Sequence, residues 1–98
     1  MNTKKIEYIR YDKNMRNDYV RAGRLIQKFN SIDFEDDETK INLLNELLGT
    51  AGNGIVIEHN FHCDFGYNIH VGANFYAGYN CTILDMAEVR IGDNCLIA

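Results

Sequence analysis

The 98-residue sequence has no proline and no tryptophan, only three cysteines, and a single glycine, Gly23, before residue 49. No apolar run approaches twenty residues, which excludes a transmembrane helix. Cys63, Cys81 and Cys95 form no CxxC pair, and their odd number points to reduced thiols in the core rather than to a disulfide framework. Met1 is followed by Asn2, Thr3, Lys4 and Lys5 without the apolar stretch of a secretory signal, so a cytoplasmic location is expected. Ten Lys and Arg against fourteen Asp and Glu leave a net charge of −4. That is too little clustered positive charge to neutralise a phosphate backbone, so no nucleic-acid partner is expected and the partner should be small or a protein.

With 46 % hydrophobic and 24 % charged residues, the chain has the composition of a globular domain with a core. Its glycines crowd into the second half, at 49, 52, 54, 66, 72, 78 and 92. The chain therefore changes character near residue 50, and two parts are expected: a helical segment, 1–52, and a β-rich part, 53–98.

In the first part Val20, Ala22, Leu25, Ile26 and Phe29 recur at helical spacing with Arg16, Arg21, Arg24 and Lys28 between them, which predicts an amphipathic helix over 17–29. The acidic run Glu35, Asp36, Asp37 and Glu38 suits a helix N-terminus, and a second helix should carry Ile41, Leu44, Leu47 and Leu48 up to Gly49 as its C′ residue. Residues 1–15 show no period and are expected to be loop or short helix.

After Gly54 the helical period gives way to alternation with β-branched residues, and the chain repeats itself. NIHVGANFYAG (68–78) lies over EVRIGDNCLIA (88–98) at an offset of twenty. Within it, hexads starting at Val71, Ala77 and Ile83 place Phe75, Cys81 and Ala87 fifth, and a further hexad from Ile91 places Cys95 fifth. Such a period means short strands joined by tight corners in a solenoid, with first and fifth positions turned inward. Three hexads make a triangular coil, and Val89 and Arg90 are read as the two extra residues of the twenty. Ile57, Cys63, Ile69, Val71, Phe75, Ala77, Cys81, Ile83, Ala87, Val89, Ile91 and Cys95 should line the interior, with His70 and Arg90 outside. Gly72 and Gly92 are expected to allow corner conformations that a Cβ would disfavour, and Asn74 and Asn94 tolerate the left-handed conformation.

Four stretches, RLIQKFN (24–30), NLLNELLG (42–49), FHCDFGYNIHVGANFYAGYNCTILD (61–85) and VRIGDNCLIA (89–98), resemble the hexapeptide-repeat O-acetyltransferases of the maltose and galactoside acetyltransferase family. The resemblance covers nearly everything from residue 18 onward. It implies a left-handed parallel β-helix behind an α-helical segment, assembled as a homotrimer, that transfers acetyl from acetyl-CoA to a sugar hydroxyl without a metal. In that family a histidine is the general base. By the resemblance it would lie beyond Ala98, and none of His59, His62 and His70 takes its place, so the chain is expected to be an N-terminal fragment.

The same resemblance places Asp64, Asn80 and Asp85 at the acceptor site, where their oxygens and amide can hold sugar hydroxyls. Corner capping is the structural alternative for all three. Two departures stand out: an asparagine usual in the family is Gly78 here, and an arginine usual on the first helix is Tyr19. His59, His62, Cys63, Asp64 and His70 are metal-ligand types, but an inward Cys63 between outward His62 and Asp64 does not converge on one ion. Phe61, Phe65, Tyr67, Phe75, Tyr76 and Tyr79 are expected mainly as packing residues. A different class of function, a non-catalytic oligomerisation module derived from such an enzyme, fits the same residues.

Overall fold

The structure is a computed structural model that describes residues 13–98; the loop or short helix expected for the first residues lies, up to residue 12, outside the described residues. Helix α1 spans Lys13–Ser31 and α2 spans Asp37–Leu47. The first thus begins earlier than its apolar stripe, because Lys13, Asn14 and Arg16 extend it on a face that needs no core. Asp36 caps α2 by accepting the Thr39 N–H at 3.1 Å, so one member of the acidic run is a cap and the next two sit in the first turn.

Gly49 follows the C-cap residue Leu48 as expected, but not for the expected reason. Its φ is not left-handed. A side chain there would collide with the Tyr67 carbonyl and lie 2.7 Å from the His70 ring, so glycine is required by close approach.

Eight short strands follow: β1 Thr50–Ala51, β2 Val56–Ile57, β3 His62–Cys63, β4 Ile69–Val71, β5 Tyr76–Ala77, β6 Thr82–Ile83, β7 Val89–Ile91 and β8 Leu96–Ile97. They form three parallel sheets, β1–β4–β7, β2–β5–β8 and β3–β6. The pairs Thr50 with His70, Val56 with Tyr76, His62 with Thr82 and Ile69 with Val89 all stand twenty residues apart, the period read from the sequence.

Val89 and Arg90 are not both surplus, since they lie within β7 and pair with Ile69 and His70. The surplus is divided: the third corner, 84–88, and its counterpart 64–68 have five residues where the other corners have four, and β7 and β4 have three where the other strands have two. This also corrects Ala87. It falls in that corner and is exposed, because the corner interrupts the hexad before the inward position is reached.

The remaining register holds. Ile57, Ile69, Val71, Phe75 and Ala77 are buried, while Cys63, Cys81, Ile83, Val89, Ile91 and Cys95 are half-buried and Arg90 is exposed. Burial declines toward the second coil because no further coil among the described residues covers it. His70 is half-buried on the outer face, where its Nδ1 meets Thr50 Oγ1 at 3.0 Å and its Nε2 lies 3.4 Å from Glu88.

The helices close the first coil. Phe29 of α1 and Leu44 and Leu47 of α2 are as deeply buried as the coil residues Phe61, Ile69 and Phe75, so helices and solenoid share one core. Asn30 fixes the junction: its Nδ2 donates to the Phe61 carbonyl at 3.0 Å and its Oδ1 accepts the Phe61 N–H at 2.9 Å. The side-chain amide thus stands in for a neighbouring strand at a coil edge. None of the described helices is long and apolar enough to cross a membrane.

Candidate functional site

The third corner brings together two of the three candidate site residues, Asp64 and Asp85. Asp85, in the second coil, is fully buried, and its Oδ1 accepts the backbone N–H groups of Asp64 at 3.0 Å and Phe65 at 2.8 Å. Its Oδ2 accepts the Asn68 N–H at 3.2 Å, and the Asn68 side chain donates back to the Asp85 carbonyl at 2.8 Å. One carboxylate therefore satisfies three donors of the corner below it, which leaves it no surface to offer a ligand.

Asp64 differs. Only 8 % of the residue is exposed, because corner 64–68 is pressed between Asp85 and the end of α2, where a side chain on Gly66 would meet Leu47. It therefore does not stand out from the coil as expected from its place beside Cys63. Among the described residues nothing donates to its carboxylate, yet the only fully buried side-chain polar atom without a partner is His59 Nε2. The Asp64 oxygens therefore keep some contact with solvent, in a nearly buried carboxyl group with open acceptor sites.

Asn80 sits at another corner, between β5 and β6, with a left-handed φ of +63°. Its Oδ1 accepts from Asn60 Nδ2 at 3.2 Å, one step of a ladder matched at the first corner by Asn74 and Asn94 at 3.0 Å. The structure thus joins Asp64 to Asp85 and sets Asn80 on the far side of β6. Gly78 is buried, has no left-handed φ, and a Cβ there would meet its nearest atom at 3.4 Å. Nothing in the backbone demands glycine at that position.

A cleft of about 590 Å³ runs along α1, lined by Arg16, Tyr19, Arg24 and Asn30 and reaching His62 and Cys63; Asp64 is next in sequence but not in its lining. Tyr67 borders the same corner, stacked on Phe65 with ring centroids 5.5 Å apart and donating to Asp18 at 2.8 Å. Burial, with the charges of Asp85 and Asp64 behind it, pushes the Cys63 thiol up to about 12, so it stays protonated and unreactive. Among the described residues no three His, Cys, Asp or Glu side chains converge on a point that could hold a metal. Sequence reasoning missed Asn30 and Asn68 as structural clamps, since an asparagine gives no sign of which backbone groups it will face.

Residues 7–52 match a family pattern described as the maltose acetyltransferase hexapeptide capping motif. Nodulation protein L of Rhizobium meliloti (strain 1021) is 42 % identical over 86 residues, which are 88 % of this chain and 47 % of that protein. A maltose O-acetyltransferase from Clostridium difficile 630 superposes with a TM-score of 0.87 at 37 % identity, covering 89 % of this chain and 46 % of that one. A galactoside acetyltransferase in complex with coenzyme A superposes with a TM-score of 0.86 at 33 % identity, covering 94 % and 50 %. The resemblance read from the sequence is borne out over most of the chain, which spans about half the length of the relatives it matches.

Proposed function

This chain is a relative of the hexapeptide-repeat O-acetyltransferases of the maltose and galactoside group, and from that relationship we propose that it contributes to acetyl transfer from acetyl-CoA to a sugar hydroxyl. In this reading segment 1–52 caps a left-handed β-helix whose first coils are 53–98, and the protein works as a cytoplasmic homotrimer.

The observation that carries the site is the open carboxylate of Asp64 on a corner held rigid from behind. A sugar hydroxyl donating to Asp64 would complete its acceptor sites and fix which oxygen is presented for transfer. Asp85 serves the same site through the backbone, by holding the Asp64 and Phe65 amides, and Asn80 shapes the adjacent corner. No general base is assigned to His59, His62 or His70. The first lies edge-on against Phe29, and the last is engaged by Thr50 and Glu88 on the outer face of the first sheet.

The test joins residues 1–98 to the remaining coils of the Clostridium difficile maltose O-acetyltransferase and follows thiol release from acetyl-CoA with maltose and simple galactosides as acceptors. Acceptor-dependent release that falls when Asp64 is replaced supports the reading. A folded chimera with no release under any acceptor overturns it in favour of a non-catalytic module.

A further inference from the structure

The three arginines of α1 are put to different uses. Arg21 donates to the Glu46 carbonyl of α2 at 2.6 Å and so ties the two helices together. Arg16 and Arg24 instead line the cleft of about 590 Å³ along α1. Arg16 lies over the Tyr19 ring, 5.9 Å from its centroid, a contact that orders a guanidinium without using up its N–H donors. The Arg24 side chain makes no hydrogen bond, ion pair or ring contact among the described residues. No acidic side chain lines the cleft, and Asp18, the one acid on α1, is engaged by the Tyr67 hydroxyl at 2.8 Å.

Gly23 adds a second, independent observation. It stands within α1, where glycine destabilises a helix, and nothing lies within 4 Å of the place a Cβ would take. The space it leaves belongs to the cleft, beside Arg24 and Val20. Val20 and Ile26 give the cleft an apolar side, and the exposed Gln27 and His62 add polar groups. A fitting ligand thus has an oxyanion for a guanidinium, C–H surface for the apolar side and hydroxyls for the rest. An acidic sugar combines the three.

We propose that the α1 cleft is an anion subsite for an acidic saccharide, with the sugar ring over Gly23 and its carboxylate or phosphate on Arg24. Arg24 takes the acid group because its donors are uncommitted and a guanidinium matches either oxyanion with paired hydrogen bonds. Arg16, about 12 Å along the helix, extends the same sign of charge to the far end. The inference rests on the acetyl-transfer reading and narrows its acceptor class, since the cleft reaches Cys63, the residue before Asp64.

Ligand titration of the full chain at low salt, followed through the amide resonances of α1, tests it with two matched pairs of probes: galacturonate against galactose, and glucose-6-phosphate against glucose. Each acid should bind roughly tenfold or more tightly than its neutral partner, the scale of a charge-assisted hydrogen bond, and the advantage should shrink at high salt. Arg24→Gln should abolish the advantage and Arg16→Gln should reduce it. Gly23→Leu, which fills the space over the helix, should weaken acid and neutral sugar alike, and circular dichroism verifies that each variant is folded. Equal binding of acid and neutral sugar, an advantage retained in folded Arg24→Gln, or wild-type binding by Gly23→Leu overturns the inference. So does inorganic phosphate binding as tightly as glucose-6-phosphate, which would make this an ion site without a sugar. Coenzyme A, which carries phosphates of its own, binding more tightly than either acid would assign the cleft to the acetyl donor and overturn it too. Thiol release by the chimera from maltose and galactosides does not enter these titrations, so the two readings fail separately.

Discussion

The Asp85 carboxylate accepts the backbone N–H of Asp64 at 3.0 Å, although the two residues stand on successive coils and twenty-one positions apart. Asp85→Ala would leave the amides of Asp64, Phe65 and Asn68 without their acceptor in a buried corner. At roughly 1–3 kcal/mol for each unsatisfied group, partly offset by water entry, the loss should be about 3 kcal/mol or more. Urea unfolding of the variant measures it, and a change below about 0.5 kcal/mol, the size of an ordinary surface substitution, would remove Asp85 from this role.

Asp64 should behave in the opposite way. Its carboxylate supports no other described residue, so Asp64→Asn should leave thermal stability nearly unchanged. In the chimera the same substitution should raise the acceptor KM or lower kcat by the equivalent of about 1–3 kcal/mol, without altering the KM for acetyl-CoA. Lost stability with unaltered acceptor kinetics would make it a corner cap.

Asn30 ties α1 to the coil through both faces of the Phe61 peptide. Replacing it with alanine removes a donor and an acceptor together, at a cost of about 1–3 kcal/mol. Hydrogen exchange should show the Phe61 amide losing protection first, while amides in β4 keep theirs. Equal loss in both places would mean that α1 is not held locally.

Two glycines should respond with opposite signs. Gly23 lies within α1 with nothing within 4 Å of an added Cβ, so Gly23→Ala should stabilise by about 0.5–1 kcal/mol. Gly54 has a φ of +73°, and its Cβ would lie 2.6 Å from Asn74 Oδ1. Gly54→Ala should therefore cost about 1–2 kcal/mol from the left-handed backbone alone. Thermal melts of the pair check both, and a shared sign would contradict the assigned geometry.

Cys63 sets a pH limit. A thiol raised in the folded state from 9.0 to about 12 holds its proton more tightly there than in the unfolded chain. The stability this contributes is complete below pH 9 and is lost as pH climbs toward 12. Melting temperature should fall across that window, and less steeply in Cys63→Ala. At pH 8 the native thiol should react with iodoacetamide about a thousandfold more slowly than an unfolded one; similar rates would show that burial does not protect it.

How much of this was legible beforehand follows from the range of each interaction. Hexad period, inward set and helix faces are carried by residues within a few positions of one another, and Ile69, Val71, Phe75 and Ala77 fell where the pattern put them. The third corner broke the pattern. Its extra length looks in sequence like a continued hexad, so Ala87 was expected inside, and Val89 and Arg90 were counted as surplus.

The sequence alone determined that two helices precede a coil of twenty-residue period, because side-chain periodicity answers directly to backbone geometry. It also carried the resemblance to the maltose and galactoside acetyltransferases, borne out over most of the chain. Only the tertiary structure decided which aspartate is spent and which is open. Asp64 and Asp85 are the same side chain, and their difference arises from stacking one coil on the next, which turns one carboxylate toward three amides and leaves the other without a donor.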